Sequence, residues 1–161
     1  MKTLIVYGST YGYAEECVQR LAKALNGEVT VVNAEKERIP GISGFDTVIA
    51  GGSVYMGQVQ KGVKKFLEEN VAELSGKKLG LFLCCGLPEN FEQNANNNFP
   101  EALREKAAAV VCFGGELRTE KMKFMHRAIT KMMKKANEKE GKEGATPMPE
   151  NIGKLAQIMN A

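Results

Sequence analysis

The chain of 161 residues predicts an α/β fold, a doubly wound, five-stranded parallel sheet with helices on both faces. Three observations support this fold class. Short apolar runs rich in β-branched residues recur along the chain and have the length of buried strands. Segments with apolar residues at helical spacing separate most of these runs, as the crossovers between parallel strands require. A chain of this length can also bury a core without disulfides or metal ions.

The predicted elements follow one another with short connections and form a single domain over residues 1–161. The first half contains a strand at residues 3–7, an amphipathic helix at 14–25, a strand at 28–33, a connection at 35–44 and a strand at 46–52. The second half contains a helix at 60–70, a strand at 78–85, a helix at 100–106, a strand at 108–117 and a helix at 149–160. A basic helix at about 120–136 and a polar linker at about 137–148 are inserted before the final helix.

The loop after the first strand has the composition of an anion site. This hydroxyl loop, Ser9-Thr10-Tyr11-Gly12-Tyr13-Ala14, lies between a strand and a helix N-terminus, where backbone N–H groups and the helix dipole favour an anion. It contains no Lys or Arg, which argues against a nucleoside triphosphate. Its hydroxyl groups suit a single phosphate monoester, and Gly12 allows the backbone to close around it. An ordinary turn capped by Ser9 or Thr10 is the alternative.

The loop after the third strand suits a flat ring system. This aromatic loop, Ser53-Val54-Tyr55-Met56-Gly57, places an aromatic side chain beside a methionine and a glycine. Tyr55 or Met56 can pack on the face of a ring, and Gly57 lets the backbone approach its edge. The alternative is a solvent-exposed turn.

A third loop, Cys85-Gly86-Leu87, ends the fourth predicted strand and is followed by a polar stretch at 89–98, which is expected to remain a loop. Ligands of open α/β sheets bind outside the carboxyl ends of the strands, at the point where the strand order reverses. The three loops therefore predict one shared binding site.

The cysteines and the single histidine give little support for a metal site, because there is no C-x-x-C spacing. The four cysteines, Cys17, Cys84, Cys85 and Cys112, occupy predicted core positions, which is typical of buried free thiols in a reducing compartment. Cys85 also ends a strand beside the predicted site, although packing is the favoured role. His126 is expected at the surface of a basic segment. We predict no catalytic side chain and no metal ligand.

The charge is unevenly distributed. Residues 118–142 have a net charge of +6 and the rest of the chain −3, which agrees with the overall +3. Within 120–136, methionines and an isoleucine repeat at helical spacing, so packing on the domain is favoured. Peripheral contact with an anionic membrane or an acidic partner is the alternative. No transmembrane run or secretion signal is recognised, so a cytoplasmic location is expected. Nucleic acid is not a predicted partner.

The three loops resemble those of the flavodoxin family. Ser9, Thr10 and Gly12 fit its hydroxyl-rich phosphate loop, whereas Ala14 stands where a final threonine is usual. The resemblance implies the strand order 2-1-3-4-5 and FMN as cofactor. It also implies that the aromatic loop holds the isoalloxazine, that the third loop covers its other face, and that the Gly57 carbonyl accepts a hydrogen bond from N5–H after one-electron reduction. The implied binding residues are Ser9, Thr10, Tyr11, Gly12, Tyr13, Ala14, Ser53, Val54, Tyr55, Met56, Gly57, Cys85, Gly86 and Leu87.

The basic segment is similar to one branch of this family, the flavodoxin-type, quinone-linked protoporphyrinogen dehydrogenases. Gly115-Glu116-Leu117-Arg118 and residues 124–133 match that branch's Gly-x-Leu-Arg turn and following helix, and the opening residues 1–5 also fit. The segment is richer in Met and Lys than that branch usually is, and the final helix is that of a plain flavodoxin.

Three functions are compatible with the sequence. We favour an FMN-binding, flavodoxin-like redox protein that carries electrons between partners. The second is a protoporphyrinogen dehydrogenase that passes electrons to a membrane quinone. The third is a cofactor-free binding module, in which Ala14 marks the loss of the phosphate site.

Overall fold

The structure is a computed structural model that describes residues 1–115 and 146–161, and it confirms the predicted α/β fold. All strand pairings are parallel, and the order is β2-β1-β3-β4-β5. The strands are β1 (Lys2–Gly8), β2 (Glu28–Asn33), β3 (Thr47–Ser53), β4 (Lys78–Cys84) and β5 (Ala109–Cys112).

Helices cover both faces of the sheet. They are α1 (Tyr13–Ala24), α2 (Lys61–Glu69), α3 (Val71–Leu74), α4 (Phe91–Asn98), α5 (Glu101–Lys106) and α6 (Glu150–Asn160), with 3₁₀ turns at Ile42–Gly44 and Pro88–Asn90. No helix in the described ranges is both long enough and apolar enough to cross a membrane.

Two apolar layers hold the helices on the sheet. Because successive side chains of a strand point to opposite faces, Leu4 and Val6 lie in the apolar layer that includes α2, α3 and α5, whereas Ile5 and Tyr7 lie in the layer of α1 and α6. Strands that are buried on both faces need nearly continuous apolar runs, which is the pattern that the sequence shows. The strand order reverses between β1 and β3, because β2 is added on one side of β1 and β3 on the other, so the hydroxyl and aromatic loops lie side by side at the carboxyl edge.

Two elements differ from the prediction. The helix expected at 60–70 ends as α2 at Glu69, because the Asn70 side chain donates to the Phe66 carbonyl (2.7 Å) and the chain turns there into α3. The prediction of a loop at 89–98 is wrong, because Phe91–Asn98 form α4. Phe91 and Ala95 repeat at helical spacing and pack in the same apolar layer as α2.

The strand predicted at 108–117 is shorter within the described residues, where β5 ends at Cys112. Gly114 then forms a bridge with Pro147, which returns the chain to α6. The predicted basic helix at 120–136 and positions 137–145 of the predicted linker at 137–148 lie outside the described residues.

Candidate functional site

The hydroxyl loop turns directly from β1 into the N-terminus of α1. Gly12 adopts a left-handed conformation (φ 97°), and the Ser9 hydroxyl oxygen accepts its N–H at 3.0 Å. The first intrahelical bond of α1 runs from the Glu16 N–H to the Gly12 carbonyl (3.1 Å). The earlier N–H groups of the helix therefore have no acceptor within it and can bind an anion. Ala14 contributes only its backbone, because its side chain is fully buried in the core.

A slot between β1 and β3 holds the amide of Gln60. Gly8 and Gly52 are paired in register at the ends of these strands. A Cβ atom at Gly8 would lie 2.5 Å from the Gln60 Oε1 atom, and one at Gly52 would lie 2.4 Å from it. Both positions must therefore be glycine for the Gln60 side chain to reach across the sheet edge.

The Gln60 amide joins the hydroxyl loop to the aromatic loop. Its Nε2 donates to the Thr10 Oγ1 at 3.0 Å and to the Ser53 Oγ at 2.8 Å. The Ser53 Oγ also accepts the Thr10 N–H at 3.3 Å. Since both hydroxyl oxygens act as acceptors towards Gln60, their own protons can be donated to another acceptor. Two hydroxyl donors are thus held together at the mouth of the anion site.

The aromatic loop is a tight two-residue turn. Tyr55 and Gln58 exchange backbone hydrogen bonds of 2.9 and 3.0 Å. Met56 (φ 54°) and Gly57 (φ 76°) between them both have positive φ, as in a type I′ turn. Glycine adopts this conformation easily, but methionine rarely does. The turn therefore projects the Met56 side chain, which is 62% exposed, from the carboxyl edge of the sheet.

Asn98, the last residue of α4, holds this turn in place through hydrogen bonds to its backbone. Its side chain is buried, its Nδ2 donates to the Gly57 carbonyl (3.0 Å) and the Asn94 carbonyl (2.8 Å), and its Oδ1 accepts the Val59 N–H (2.9 Å). One side chain therefore determines the backbone position on both sides of Gln58.

The three tyrosines of these loops have different surroundings. The Tyr13 hydroxyl donates to the carbonyl of Phe113, the residue that follows β5, at 2.6 Å. Its proton is therefore directed away from the hydroxyl loop. Burial raises the pKa of Tyr13. Burial, and then the nearby Tyr55 hydroxyl, raise the pKa of Tyr11, which indicates that the hydroxyl and aromatic loops approach each other.

The third loop is tied to both of its neighbours. The Cys84 carbonyl accepts the Val54 N–H at 2.9 Å, and the Gly86 carbonyl accepts the Thr146 N–H at 3.3 Å. The Leu87 carbonyl accepts the Asn90 N–H at 3.0 Å. Cys85 is buried, whereas Gly86 and Leu87 are half-buried. The three loops thus occupy one edge of the sheet, as the sequence predicts.

Positive charge lies close to the aromatic loop. The Lys64 ammonium donates to the Gln58 side-chain oxygen. The Lys65 ammonium instead lies 4.0 Å from the Glu69 carboxylate, on an exposed part of α2. Within residues 1–115 and 146–161, no group of three or more His, Cys, Asp or Glu side chains is placed to bind a metal ion.

Sequence reasoning did not find Gln60 or Asn98 as site residues. A paired Gly8 and Gly52 at two strand ends is a signal for Gln60, because it leaves room for a side chain. The helical spacing of Phe91, Ala95 and Asn98 is a signal that Asn98 lies on a buried helix face.

A family model described as a flavodoxin domain matches residues 4–143. The chain belongs to the flavodoxin family. The alignment covers the strands and loops that form the candidate site, and it extends into the basic segment. Family membership is therefore consistent with the geometry of the three loops.

Solved structures share this flavodoxin's fold. A flavodoxin from Streptococcus pneumoniae TIGR4 aligns over 98% of both chains with 15% identity and a TM-score of 0.56. A flavodoxin from the domain Archaea aligns over the full length of both chains with 12% identity and a TM-score of 0.52. The rubredoxin oxygen:oxidoreductase of Desulfovibrio gigas aligns with 99% of this chain at 13% identity and a TM-score of 0.56, but the match spans only 35% of that protein.

Proposed function

We propose that this flavodoxin binds FMN and transfers electrons between redox partners. The observation that best supports the proposal is the bonding of Gln60, which leaves the protons of Thr10 and Ser53 for the oxygens of a phosphate. A phosphate monoester is an acceptor of charge-assisted hydrogen bonds, and the N-terminus of α1 adds backbone donors and a favourable dipole. The donor set therefore fits the single phosphate of FMN without a lysine or arginine.

The remaining residues have separate tasks in this proposal. The hydroxyl loop, Ser9 to Ala14, holds the phosphate together with Ser53. Tyr55 and the exposed Met56 pack against the ring, and the third loop, Cys85 to Leu87, covers its other side. FMN supplies the redox chemistry when it is bound, while the protein sets its position and electrostatic surroundings.

The Gly57 carbonyl keeps its proposed role as an acceptor for the flavin. Asn98 Nδ2 already donates to this oxygen, and the Gln58 N–H on the same peptide donates to the Tyr55 carbonyl. A carbonyl oxygen has two lone pairs, so it can accept a second donor without losing Asn98. In this proposal Asn98 holds the acceptor in place instead of competing with the flavin for it.

Flavin titration of the purified protein tests the proposal. We expect FMN to bind with quenched fluorescence and a shifted visible spectrum, and to bind more tightly than FAD. Thr10→Val removes a donor to a charged group, which is worth about 1.5–3 kcal/mol, so the FMN Kd should rise by about 10- to 100-fold. Thr30→Val on β2, away from the loops, is the control and should leave the Kd unchanged. Absence of flavin binding at micromolar concentration would favour the cofactor-free module.

The quinone-linked protoporphyrinogen dehydrogenase is the second candidate. It is favoured by the Gly-x-Leu-Arg pattern at residues 115–118 and the sequence at 124–133, which lie outside the described residues apart from Gly115. The FMN-loaded protein, mixed with protoporphyrinogen and a soluble quinone, should turn over if this function is correct. Reduction by a redox-protein partner without protoporphyrinogen turnover would favour the electron carrier.

A further inference from the structure

Two buried cysteines lie side by side at the third loop, and one of them, Cys85, is its first residue. Their sulfur atoms, Cys85 Sγ and Cys112 Sγ, are 3.5 Å apart and share a hydrogen bond. The pairing of Leu83 with Cys112 explains the contact, because Cys85 follows Leu83 by two residues and continues on the same face of the sheet. The two thiols come from neighbouring strand ends, 27 residues apart in the sequence.

The backbone beyond the two cysteines holds them together. A Cβ atom at Gly115 would lie 2.8 Å from the Gly86 Cα atom, so these two chain segments approach as closely as glycine allows. Thr146 lies across both segments, since its N–H donates to the Gly86 carbonyl (3.3 Å) and its carbonyl accepts the Gly115 N–H (3.1 Å). The separation of the cysteines is thus set by main-chain contacts on either side of them.

The two thiols are electrostatically different. Cys112 Sγ accepts the Gly114 N–H (3.3 Å) and shares a hydrogen bond with the Cys85 thiol, in which either sulfur can be the donor. The contact with Cys85 and then the Gly114 N–H lower the pKa of Cys112. The same hydrogen bond and then burial raise the pKa of Cys85. One sulfur is therefore the better thiolate, and its neighbour keeps its proton, which is the arrangement of an attacking and a resolving cysteine.

We propose that Cys85 and Cys112 form a redox-active dithiol that closes to a disulfide when a small-molecule disulfide oxidises it. The Cys112 thiolate attacks one sulfur of the oxidant, a mixed disulfide forms, and the first oxidant thiolate leaves. Cys85 then loses its proton to solvent and attacks the Cys112 sulfur, which releases the second oxidant thiolate. The protein loses two electrons and two protons in total, and the oxidant is reduced to two thiols.

Closure also changes the third loop. A disulfide requires a sulfur separation of about 2.05 Å, so the two sulfurs must approach by roughly 1.5 Å. Cys85 Sγ also lies 3.7 Å from the Leu87 carbonyl, to which its S–H can donate, and this hydrogen bond is lost when the disulfide forms. The oxidation state of the pair is thereby coupled to the loop that borders the candidate flavin site. The proposal itself does not depend on flavin binding, because its chemistry uses only the two thiols and the external disulfide.

The chain contains an internal comparison on the opposite face of the sheet. Cys84 lies on the opposite face from Cys85, in the same apolar layer as Cys17 of α1. Cys17 is on a helix and Cys84 on a strand, whereas Cys85 and Cys112 lie at neighbouring strand ends with their sulfurs 3.5 Å apart, beside the close approach of Gly86 and Gly115. We therefore expect oxidation to be selective for Cys85 and Cys112.

Equilibration of the purified full-length protein in glutathione redox buffers tests this selectivity. After acid quenching and alkylation, mass spectrometry should show two of the four thiols lost together, and digestion should give a disulfide that links Cys112 to the peptide of Cys84 and Cys85. Cys84→Ala should keep this disulfide and Cys85→Ala should abolish it. In Cys85→Ala the mixed disulfide cannot be resolved, so a glutathione adduct should accumulate on Cys112.

The same measurements can overturn the proposal. Four reduced thiols in the most oxidising buffer, or a disulfide that links Cys17 to Cys84, would contradict it. Either outcome would be seen with the wild-type protein alone, so the test does not depend on the folding of a variant. Circular dichroism of each variant shows whether an altered thiol pattern comes from the missing sulfur or from unfolding.

Discussion

Replacing Asn98 by leucine tests whether one buried amide holds the aromatic loop. Leucine keeps the branching at Cγ but removes three hydrogen bonds of 2.8 to 3.0 Å, to Asn94, Gly57 and Val59. Each is worth about 1 kcal/mol net, and the buried Val59 N–H loses its acceptor, so we expect a loss of about 3 kcal/mol in the free energy of unfolding. At roughly 2–4 °C per kcal/mol for a protein of this size, the Tm should fall by about 6–12 °C.

Urea and thermal unfolding of the FMN-free protein measure this loss directly. The FMN Kd of the same variant should rise, because the Gly57 turn is no longer fixed. Asn97→Leu on the exposed side of α4 is the matched control and should change stability by less than about 0.5 kcal/mol. An Asn98→Leu protein with parental stability would refute the idea that the side chain holds the turn.

Asn98→Asp separates the two ends of the amide. The new carboxyl can still accept the Val59 N–H, but its second oxygen faces the Gly57 and Asn94 carbonyls and, only when protonated, can donate its single proton to one of them. Burial and these acceptors should raise the pKa of the introduced carboxyl in the folded state. A raised pKa means that its stabilisation is present below the unfolded-state pKa and is lost as pH rises through the folded-state pKa.

Unfolding free energies measured against pH therefore distinguish this variant from its control. Asn98→Asp should approach the parental stability at low pH and fall below it towards neutral pH. Asn97→Asp, which is exposed, should follow the parental curve. Parallel curves for all three proteins would show that the Nδ2 donor has no role.

Two further predictions concern charge. Lys64→Glu should lower the reduction potential of bound FMN, since a unit charge at ~10 Å and an effective dielectric of about 20 contributes roughly 1–2 kcal/mol before solvent screening. Lys65→Glu, whose lysine lies beside Glu69, should shift the potential less, and equal potentials in a redox titration would exclude the effect. Charge reversal at Lys131, Lys134 and Lys135 should weaken binding to anionic liposomes or an acidic partner in a salt-dependent manner without altering the FMN Kd. Unchanged liposome and partner binding would leave packing as the role of this segment.

The sequence indicates the α/β architecture because the relevant signals are local. A strand buried on both faces must be apolar throughout, and a surface helix must repeat its apolar residues at helical spacing, so both kinds of element are visible in short windows. The boundaries of β2, at Glu28–Asn33, agree with the prediction. The loops at the carboxyl ends of β1, β3 and β4 could also be located, because each follows an apolar run directly.

The prediction was weaker where a polar side chain served the interior. The stretch at 89–98 was expected to be a loop because its composition is polar, but Phe91 and Ala95 are sufficient to dock α4 on the sheet. Asn98 then faces inwards as a hydrogen-bonding side chain and not as a solvated one. Composition alone does not distinguish a solvated loop from a helix that turns one polar side chain inwards, because the same residues can form either structure.

By itself, then, the sequence determined the strands, most of the helices that cover them and the edge on which the site lies. Only the tertiary structure decided which side chains complete that site. Gln60 bonds to Thr10 across 50 residues, Asn98 to Gly57 across 41, and Cys85 to Cys112 across 27. Such partners meet because strand order and register bring distant segments within hydrogen-bond distance, and these depend on the packing of the whole sheet and not on any local pattern.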